Sequence, residues 1–272
     1  MPLEYFETDG GKLAVEIEGD GPLIICAPGL GDHRDVYTPL SQRLVSEGYK
    51  VARIDNRGHG DSSTTFNSYG DLATAEDFLF LASKLGGGKR VAIAGSSFAA
   101  GSATIAAAKN PDAFAGIILL GPFLRNANAF APWITPVLFW RPWGPAVWKM
   151  YAKTLWPGLG AKAAERAAGS HAKITRPGYY AAFQKTVGGL DHSVVEPYHS
   201  KVGKTPALVV MGDKDVDFSK PREEAEWIAS LFEDHKVQVL EGVGHAPMFE
   251  RPEEVGGSVS EFVAKLKREG RF

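Results

Sequence analysis

The chain alternates between strand-like and helix-like segments four times between residues 22 and 121. Continuous apolar runs such as PLIICAP (22–28) and FAGIILLG (114–121) suit strands that are buried on both faces of a parallel sheet. The segments between such runs, among them DLATAEDFLFLASKLG (71–86), have helical periodicity and end at Gly or Asn-Pro. This alternation predicts an α/β fold, in which helices cover both faces of a mainly parallel sheet.

The alternation stops between residues 122 and 203, where prolines, helical stretches and aromatic side chains replace the strand pattern. Alternation resumes with TPALVVMGDKD (205–215) and runs to a final helix. We therefore predict a sheet domain formed by residues 1–121 and 204–272, interrupted by a helical insertion of residues 122–203. Five of the six tryptophans lie in the insertion: Trp133, Trp140, Trp143, Trp148 and Trp156.

The composition excludes several classes of function. A net charge of −2 provides no overall field that would recruit nucleic acid or anionic lipid. No apolar run approaches the roughly 18 residues of a membrane span, and the first residues are acidic where a signal peptide is basic. Cys26 is the only cysteine and lies in an apolar run, which predicts a buried side chain and excludes an intramolecular disulfide. We expect a soluble, cytoplasmic protein that binds no nucleic acid and does not integrate into membranes; the oligomeric state stays open.

Polar side chains follow the predicted strands at the edge of the sheet where doubly wound folds bind ligands. Ser96 and Ser97 follow one strand, Asp215 a second and His245 a third, in the chain order Ser, Asp, His. The stretch AGSSFAAG (94–101) alone is equally compatible with a tight packing turn, and a lone histidine is more often structural than catalytic. The combination of three complementary groups at one edge favours a catalytic site.

These residues carry a resemblance to the α/β-hydrolases that covers essentially the whole chain. The matching elements are GSSFA (95–99), DNRGHGDS (55–62), GDKD (212–215) and GH (244–245). The resemblance implies an α/β-hydrolase fold, with an eight-stranded, mainly parallel sheet and the insertion as a helical cap. It says much less about the substrate, because one fold hosts many reactions.

The resemblance also implies which serine is the nucleophile. The G-x-S-x-G turn of these enzymes needs small residues two positions before and after the serine. Around Ser97 these positions hold Gly95 and Ala99, whereas around Ser96 they hold Ala94 and Phe98, whose ring would clash. Ser97 is therefore the predicted nucleophile, although Ala99 stands where the pattern has glycine.

The same resemblance assigns His245 as the base and Asp215, from its G-x-x-D spacing, as the acid that orients it. We expect the neighbouring Asp213 and Asp217 to be solvated or to shape their loop. His59 is interpreted as scaffold and His33 as a residue near the oxyanion loop. No motif surrounds the other histidines: His171, His192, His199 and His235.

The tetrahedral intermediate of acyl transfer needs backbone N–H donors for its oxyanion. The resemblance places one donor on Phe98, at a helix N-terminus, and the other on Leu30, in a loop that has Pro28-Gly29 where many relatives have His-Gly. A dinucleotide motif starting at Gly29 fails, because its third glycine would fall on Arg34. No metal-ligand spacing, phosphate loop or other cofactor motif is present in the sequence, so we expect no metal and no cofactor.

The leading hypothesis is a serine hydrolase that cleaves carboxylic esters through an acyl-enzyme. A serine at the elbow argues against relatives with an aspartate nucleophile, namely epoxide hydrolases and haloalkane dehalogenases. Carbon–carbon bond hydrolases, lactonases, acyltransferases and cofactor-free perhydrolases share the triad and stay open as alternatives. Two further hypotheses are a ligand sensor with slow turnover and a lipase that acts at a membrane surface.

The aromatic side chains of the insertion indicate an apolar, uncharged small-molecule ester as substrate. Core packing and pocket lining are the uses that we expect for these rings. Arg125 and Arg141 are the basic residues among them that could pair with an anionic substrate group.

Overall fold

The computed structural model describes residues 3–272 and contains a single eight-stranded sheet. The strands lie in the order β1-β2-β4-β3-β5-β6-β7-β8. Their bounds are β1 Leu3–Thr8, β2 Gly11–Glu18, β3 Leu23–Ala27, β4 Lys50–Ile54, β5 Val91–Ser96, β6 Phe114–Leu120, β7 Ala207–Gly212 and β8 His235–Leu240.

The sheet has two antiparallel strand pairs at one edge and is parallel elsewhere. β1 and β2 form an antiparallel hairpin, and β2 pairs antiparallel with β4. Every other neighbouring pair of strands is parallel. The predicted α/β-hydrolase architecture, a mainly parallel eight-stranded sheet flanked by helices, is confirmed.

Ten α-helices connect and cover the strands within the described residues. Their bounds are α1 Thr38–Ser46, α2 Asp71–Leu85, α3 Phe98–Lys109, α4 Ala131–Leu138, α5 Gly144–Ala152, α6 Lys162–Ile174, α7 Tyr179–Gly188, α8 Pro221–Ala229, α9 Pro247–Glu250 and α10 Pro252–Arg268. Short 3₁₀ segments lie at Arg34–Tyr37, Pro111–Ala113, Pro157–Leu159 and His192–Lys201.

The central strands are apolar throughout because helices cover both of their faces. Every residue of β3, β5, β6 and β7 is buried. Two hydrophobic clusters form as a result, one on each side of the sheet. Cys26 is buried in one of them, as expected, and burial raises the pKa of its thiol to about 12.

The segment 122–203 lies between β6 and β7 and contains α4 to α7 but no strand. We keep the name insertion for it. Across residues 3–272, no helix combines the length and apolar character needed to cross a bilayer.

Candidate active site

Ser97 occupies the turn between the end of β5 and the start of α3. Its backbone angles are φ 60° and ψ −128°, a region that L-residues rarely adopt. Among residues 3–272 only one other non-glycine residue, Asp9 in the first hairpin turn, has a positive φ. The Ser97 side chain lines a cavity beside the sheet, together with Ser96, the last residue of β5.

Two glycines make room for this strained turn. A Cβ atom on Gly95 would lie 2.2 Å from the carbonyl oxygen of Ala99, and one on Gly29 would lie 2.8 Å from Cβ of Ser97. Either contact is too close to be tolerated without a backbone shift. The methyl group of Ala99, by contrast, is buried in the hydrophobic cluster that contains α3. The missing glycine of the pattern therefore causes no visible conflict.

His245 and Asp215 meet at the carboxyl ends of β8 and β7. Nδ1 of His245 lies 2.8 Å from Oδ2 of Asp215, whose side chain is fully buried. The other oxygen of Asp215 accepts the backbone N–H of Asp217 at 3.0 Å. A carboxylate at Nδ1 fixes the ring orientation and leaves Nε2 as the nitrogen available for proton transfer. His245 lines the same cavity as Ser97, and no hydrogen bond between the two is present in the described chain.

Glu250 connects the insertion with the loop that contains His245. Its carboxylate accepts the backbone N–H of Gly158 at 2.6 Å and that of Gly244 at 3.0 Å. Burial raises the pKa of Glu250, although these N–H donors act in the opposite direction. The backbone N–H of His245 itself donates to the carbonyl oxygen of Leu155 at 2.7 Å. The position of the imidazole therefore depends on contacts with the insertion.

Asp217 does not lie in solvent, so the expectation that it is solvated is wrong. Its Oδ2 is 3.3 Å from Nδ1 of His245, and its Oδ1 accepts a hydrogen bond from the hydroxyl of Tyr151 on α5. It also lines the cavity. The physical reason is that α5 packs over this loop and removes the carboxylate from water. Asp213, by contrast, accepts the backbone N–H of Gly242 at 2.7 Å and shapes the loop, as expected.

The two carboxylates change the proton affinity of His245. Burial disfavours the charged ring, but attraction to Asp215 and then Asp217 outweighs burial and raises the pKa of His245 to about 9. Burial also raises the pKa of Asp217; the positive charge of His245 opposes this shift, and the negative charge of Asp215 adds to it.

The two predicted oxyanion donors come from different elements next to the cavity that Ser97 lines. Leu30 belongs to the turn after β3, and Phe98 is the first residue of α3. Both residues line the cavity. Within residues 3–272 neither backbone N–H donates to a protein acceptor. Two free donors beside the predicted nucleophile are what an oxyanion requires.

The cavity has a volume of about 340 Å³ and lies between the sheet and the insertion. Its ionisable lining consists of Asp32, His192, Asp217 and His245, with Tyr151. Among the described residues no Lys or Arg lines it. Arg125 is held elsewhere, in an ion pair of 2.6 Å with Glu224 and 3.7 Å above the Trp227 ring. Arg141 lies over the Tyr180 ring at 5.0 Å.

The tryptophans and phenylalanines between residues 122 and 160 divide into two groups. Phe123, Phe139, Trp148 and Trp156 line the cavity, in agreement with the expectation that these rings form core and pocket. For Phe130, Trp133, Trp140 and Trp143 that expectation is wrong, because all four are exposed.

His192 is a residue of the cavity wall for which the sequence carries no motif. Its Nδ1 lies 3.1 Å from Oδ1 of Asp71, which is fully buried at the start of α2. Its ring stacks on Phe123 with a centroid distance of 4.8 Å, and Phe123 lies 5.7 Å from the His245 ring. No local spacing reveals this pair, because the two partners are 121 residues apart.

The remaining predicted residues have structural contacts. His33 pairs with Asp35 at 2.9 Å. The ring of His59 is buried and contacts the carbonyl oxygen of Arg57 through Nδ1 at 3.0 Å, which fits a scaffold role. Asn56, from the same motif, donates to the carbonyl oxygen of Pro28 at 2.7 Å and so supports the loop that precedes Leu30.

One set of potential metal ligands occurs among residues 3–272. Asp215, Asp217 and His245 offer atoms that lie within 4.8 Å of one another. These atoms already take part in the hydrogen bonds described above. The donor set is accounted for by the Asp–His arrangement without an ion.

Comparison with known proteins agrees with this architecture. Residues 24–256 match the model of the alpha/beta hydrolase family, and the chain belongs to that family. A 2-(acetamidomethylene)succinate hydrolase of Mesorhizobium japonicum is 30% identical over 115 residues, which are 42% of this chain and 41% of that protein. The chain therefore spans about two fifths of the length of this curated relative.

Two solved structures cover nearly the whole chain. An esterase from Thermogutta terrifontis has a TM-score of 0.82 and 22% identity, and the match covers 97% of this chain and 99% of the other. The enol-lactonase from Burkholderia xenovorans LB400 has a TM-score of 0.80 and 22% identity, covering 96% and 100%. At this level of identity the likeness defines the fold. The family and the relatives support a hydrolase.

Proposed function

We propose that the protein is a serine hydrolase that cleaves uncharged carboxylic esters through an acyl-enzyme. The observation that carries the proposal is the strained turn at Ser97, which opens into the same cavity as an imidazole held by a buried aspartate. Strain of this kind persists where the surrounding structure imposes it, and it is typical of functional sites.

Each residue has a defined role in the proposed reaction. Oγ of Ser97 attacks the ester carbonyl carbon while its proton passes to Nε2 of His245. The N–H groups of Leu30 and Phe98 stabilise the oxyanion, and Asp215 orients the ring. The carbon–oxygen bond to the alcohol then breaks, and the alcohol leaves with the proton from His245. Water, deprotonated by the same imidazole, hydrolyses the acyl-serine and restores the free enzyme.

The charge of the cavity supports an uncharged substrate. Its ionisable lining contains two aspartates, Asp32 and Asp217, and no basic residue other than the two histidines within the described chain. Arg166 already pairs with Asp32, so a substrate carboxylate would face Asp217 without a Lys or Arg to bind it. The relative from Mesorhizobium japonicum is called a hydrolase of a succinate derivative; within the described chain this cavity offers no Lys or Arg for such a substrate.

We also propose that residues 122–203 form a cap over the proposed nucleophile. Phe139 and Trp148 of this segment form part of the cavity wall, and Tyr151 contacts Asp217 through its hydroxyl. Access to Ser97 therefore depends on the insertion, which makes it the element that sets substrate size.

A substrate screen tests the proposal. The wild-type protein is incubated with p-nitrophenyl esters of graded acyl length, with lactones and with a monoacylglycerol, and Ser97→Ala serves as the inactive control. We expect multiple turnovers on esters that the control lacks. Turnover confined to lactones would favour a lactonase, and a single burst without steady-state turnover would favour a ligand sensor. Ester hydrolysis that persists in Ser97→Ala would refute the mechanism.

A further inference from the structure

Helix α4 carries an apolar stripe that faces solvent. Phe130, Trp133, Ile134 and Val137 follow the i, i+3, i+4, i+7 spacing of one helix face. Their exposed fractions are 70%, 79%, 52% and 61%, and no residue of α4 is buried. A stripe of this kind normally packs against a protein core. On α4 the stripe faces solvent, so its side chains are available to bind another molecule.

Two further tryptophans enlarge the stripe. The indole Nε1 of Trp143 donates to the carbonyl oxygen of Val137 at 3.0 Å, which places the exposed Trp143 at the end of α4. Trp140 lies between Val137 and Trp143 in the chain and is 61% exposed. We call these six residues the apolar face: Phe130, Trp133, Ile134, Val137, Trp140 and Trp143. Exposed contiguous apolar surface of this extent marks interaction sites.

The segment that carries the apolar face contains basic residues but no acidic ones. No Asp or Glu occurs between residues 114 and 164, although the chain contains 32 acidic residues. Arg141 lies between the two tryptophans in sequence, and Lys149 and Lys153 follow on and just after α5. All three are exposed and form no ion pair among residues 3–272. The segment 114–164 is therefore positively charged in a chain whose net charge is −2. Asp191 and Glu196, from a later segment, line a surface pocket together with Trp133.

The apolar face adjoins the mouth of the proposed active-site cavity. Ala131, Thr135 and Leu138, on the neighbouring side of α4, line the cavity. Asn128 is exposed, lies two residues before Phe130 and also lines the cavity. One helix thus contributes both to the wall of the cavity and to the apolar outer surface.

We propose that the apolar face binds the surface of an anionic phospholipid bilayer, with α4 lying in the interfacial plane. Tryptophan and phenylalanine prefer this zone, and flanking Arg and Lys are attracted to anionic headgroups. A second copy of the chain seated on the same face would instead form a dimer in solution. The proposed membrane binding does not depend on the proposed function. The consequence that a lipid-dissolved ester enters the cavity from the bilayer does rest on the proposed function.

Vesicle flotation with the full chain tests the proposal. The probes are vesicles of phosphatidylcholine alone and of phosphatidylcholine with phosphatidylglycerol. We expect binding to the anionic vesicles, weakened at least about tenfold in the double variant Trp133→Ser/Val137→Ser and in the triple variant Arg141→Gln/Lys149→Gln/Lys153→Gln. Tyr5→Ser, which removes an exposed aromatic ring from strand β1, outside the apolar face, is the matched control and should bind like wild type.

Hydrolysis of a water-soluble p-nitrophenyl ester is measured in parallel. The variants on the apolar face should retain it, because none of the changed side chains lines the cavity. Absence of vesicle binding by the wild type, or binding that neither variant weakens, would overturn the proposal. So would a concentration-dependent dimer, detected by light scattering, that Trp133→Ser/Val137→Ser abolishes, since the occupant would then be a second copy. Vesicle binding without any ester hydrolysis would instead refute the proposed function alone.

Discussion

The carboxylate of Asp217 lies 3.3 Å from Nδ1 of His245, the same ring nitrogen that Asp215 approaches to 2.8 Å. The two acids differ in their surroundings. Asp215 is fully buried behind the ring and accepts a backbone N–H. Asp217 lines the cavity and accepts the hydroxyl of Tyr151. We therefore expect Asp215 to orient the imidazole and Asp217 to adjust its charge.

The first prediction compares the two acids. Asp215→Asn removes the acceptor that selects the Nδ1–H tautomer, and in the trypsin-type triad such a change costs roughly 10⁴-fold in kcat. We expect a loss of that order, whereas Asp217→Asn should cost less than about tenfold because Asp215 remains. Steady-state kinetics with p-nitrophenyl butyrate measures both. If Asp217→Asn is the more damaging change, Asp217 is the orienting acid.

The second prediction concerns pH. A base works only when unprotonated, and the pKa of His245 is raised to about 9 by Asp215 and Asp217 against the effect of burial. The wild-type kcat/KM should therefore rise with pH, reach half of its maximum near pH 9 and level off above that pH.

Asp217→Asn removes a negative charge that favours the charged imidazole, so the pKa of His245 should fall and the rising limb should move to lower pH. Asp213→Asn, which changes an acid outside the cavity, is the control and should leave the limb in place. A limb that stays in place in Asp217→Asn, or that moves to higher pH, would show that Asp217 does not set the charge of the ring.

The strands of the sheet could be predicted because each strand has its signal within its own few residues. Strands buried on both faces must be apolar along their whole length, and the runs at β3, β5, β6 and β7 satisfy this condition. The turn at Ser97 could be predicted only with the resemblance to the α/β-hydrolases, whose pattern places its steric needs on Gly95 and Ala99, two residues to either side.

Contacts between segments that are far apart in the chain could not be predicted from the sequence. The Tyr151–Asp217 hydrogen bond joins residues 66 apart, and the His192–Asp71 contact joins residues 121 apart. The expectation of core packing or pocket lining failed for the aromatic rings at α4 for a different reason. An apolar stripe indicates that a helix face avoids water, but it does not say whether the chain itself covers that face.

The third prediction distinguishes the two adjacent serines. Ser97→Ala should lower kcat by roughly 10⁴-fold or more with an unchanged unfolding transition, because only the nucleophile is removed. Ser96→Ala, the matched control on the same cavity wall, should keep substantial activity. A fluorophosphonate probe followed by peptide mapping should label Ser97 alone. Labelling of Ser96 would mean that the assigned register of the turn is wrong.

The fourth prediction concerns stability at the second Asp–His contact. His192→Phe preserves an aromatic ring against Phe123 but leaves the buried carboxylate of Asp71 without its partner. We expect a loss of about 3 kcal/mol in the free energy of unfolding, measured by urea denaturation. The double variant Asp71→Leu/His192→Phe should recover most of it, because no buried charge remains unpaired. Equal losses in the single and double variants would mean that packing, not the charge, determines the effect.

The fifth prediction concerns acyl length. The cavity of about 340 Å³ is lined by apolar side chains of the insertion, among them Leu138, Phe139 and Val147. Each buried methylene contributes about 0.8 kcal/mol, or about fourfold in kcat/KM, until the cavity is filled. The specificity constant for p-nitrophenyl esters should therefore rise from acetyl to butyryl or hexanoyl and then fall. Val147→Phe, which narrows the cavity, should move the maximum to a shorter chain, while Leu72→Phe on the exposed surface of α2 should not. A preference for acetate esters, or for an anionic ester over its neutral analogue, would contradict an apolar acyl site formed by the insertion.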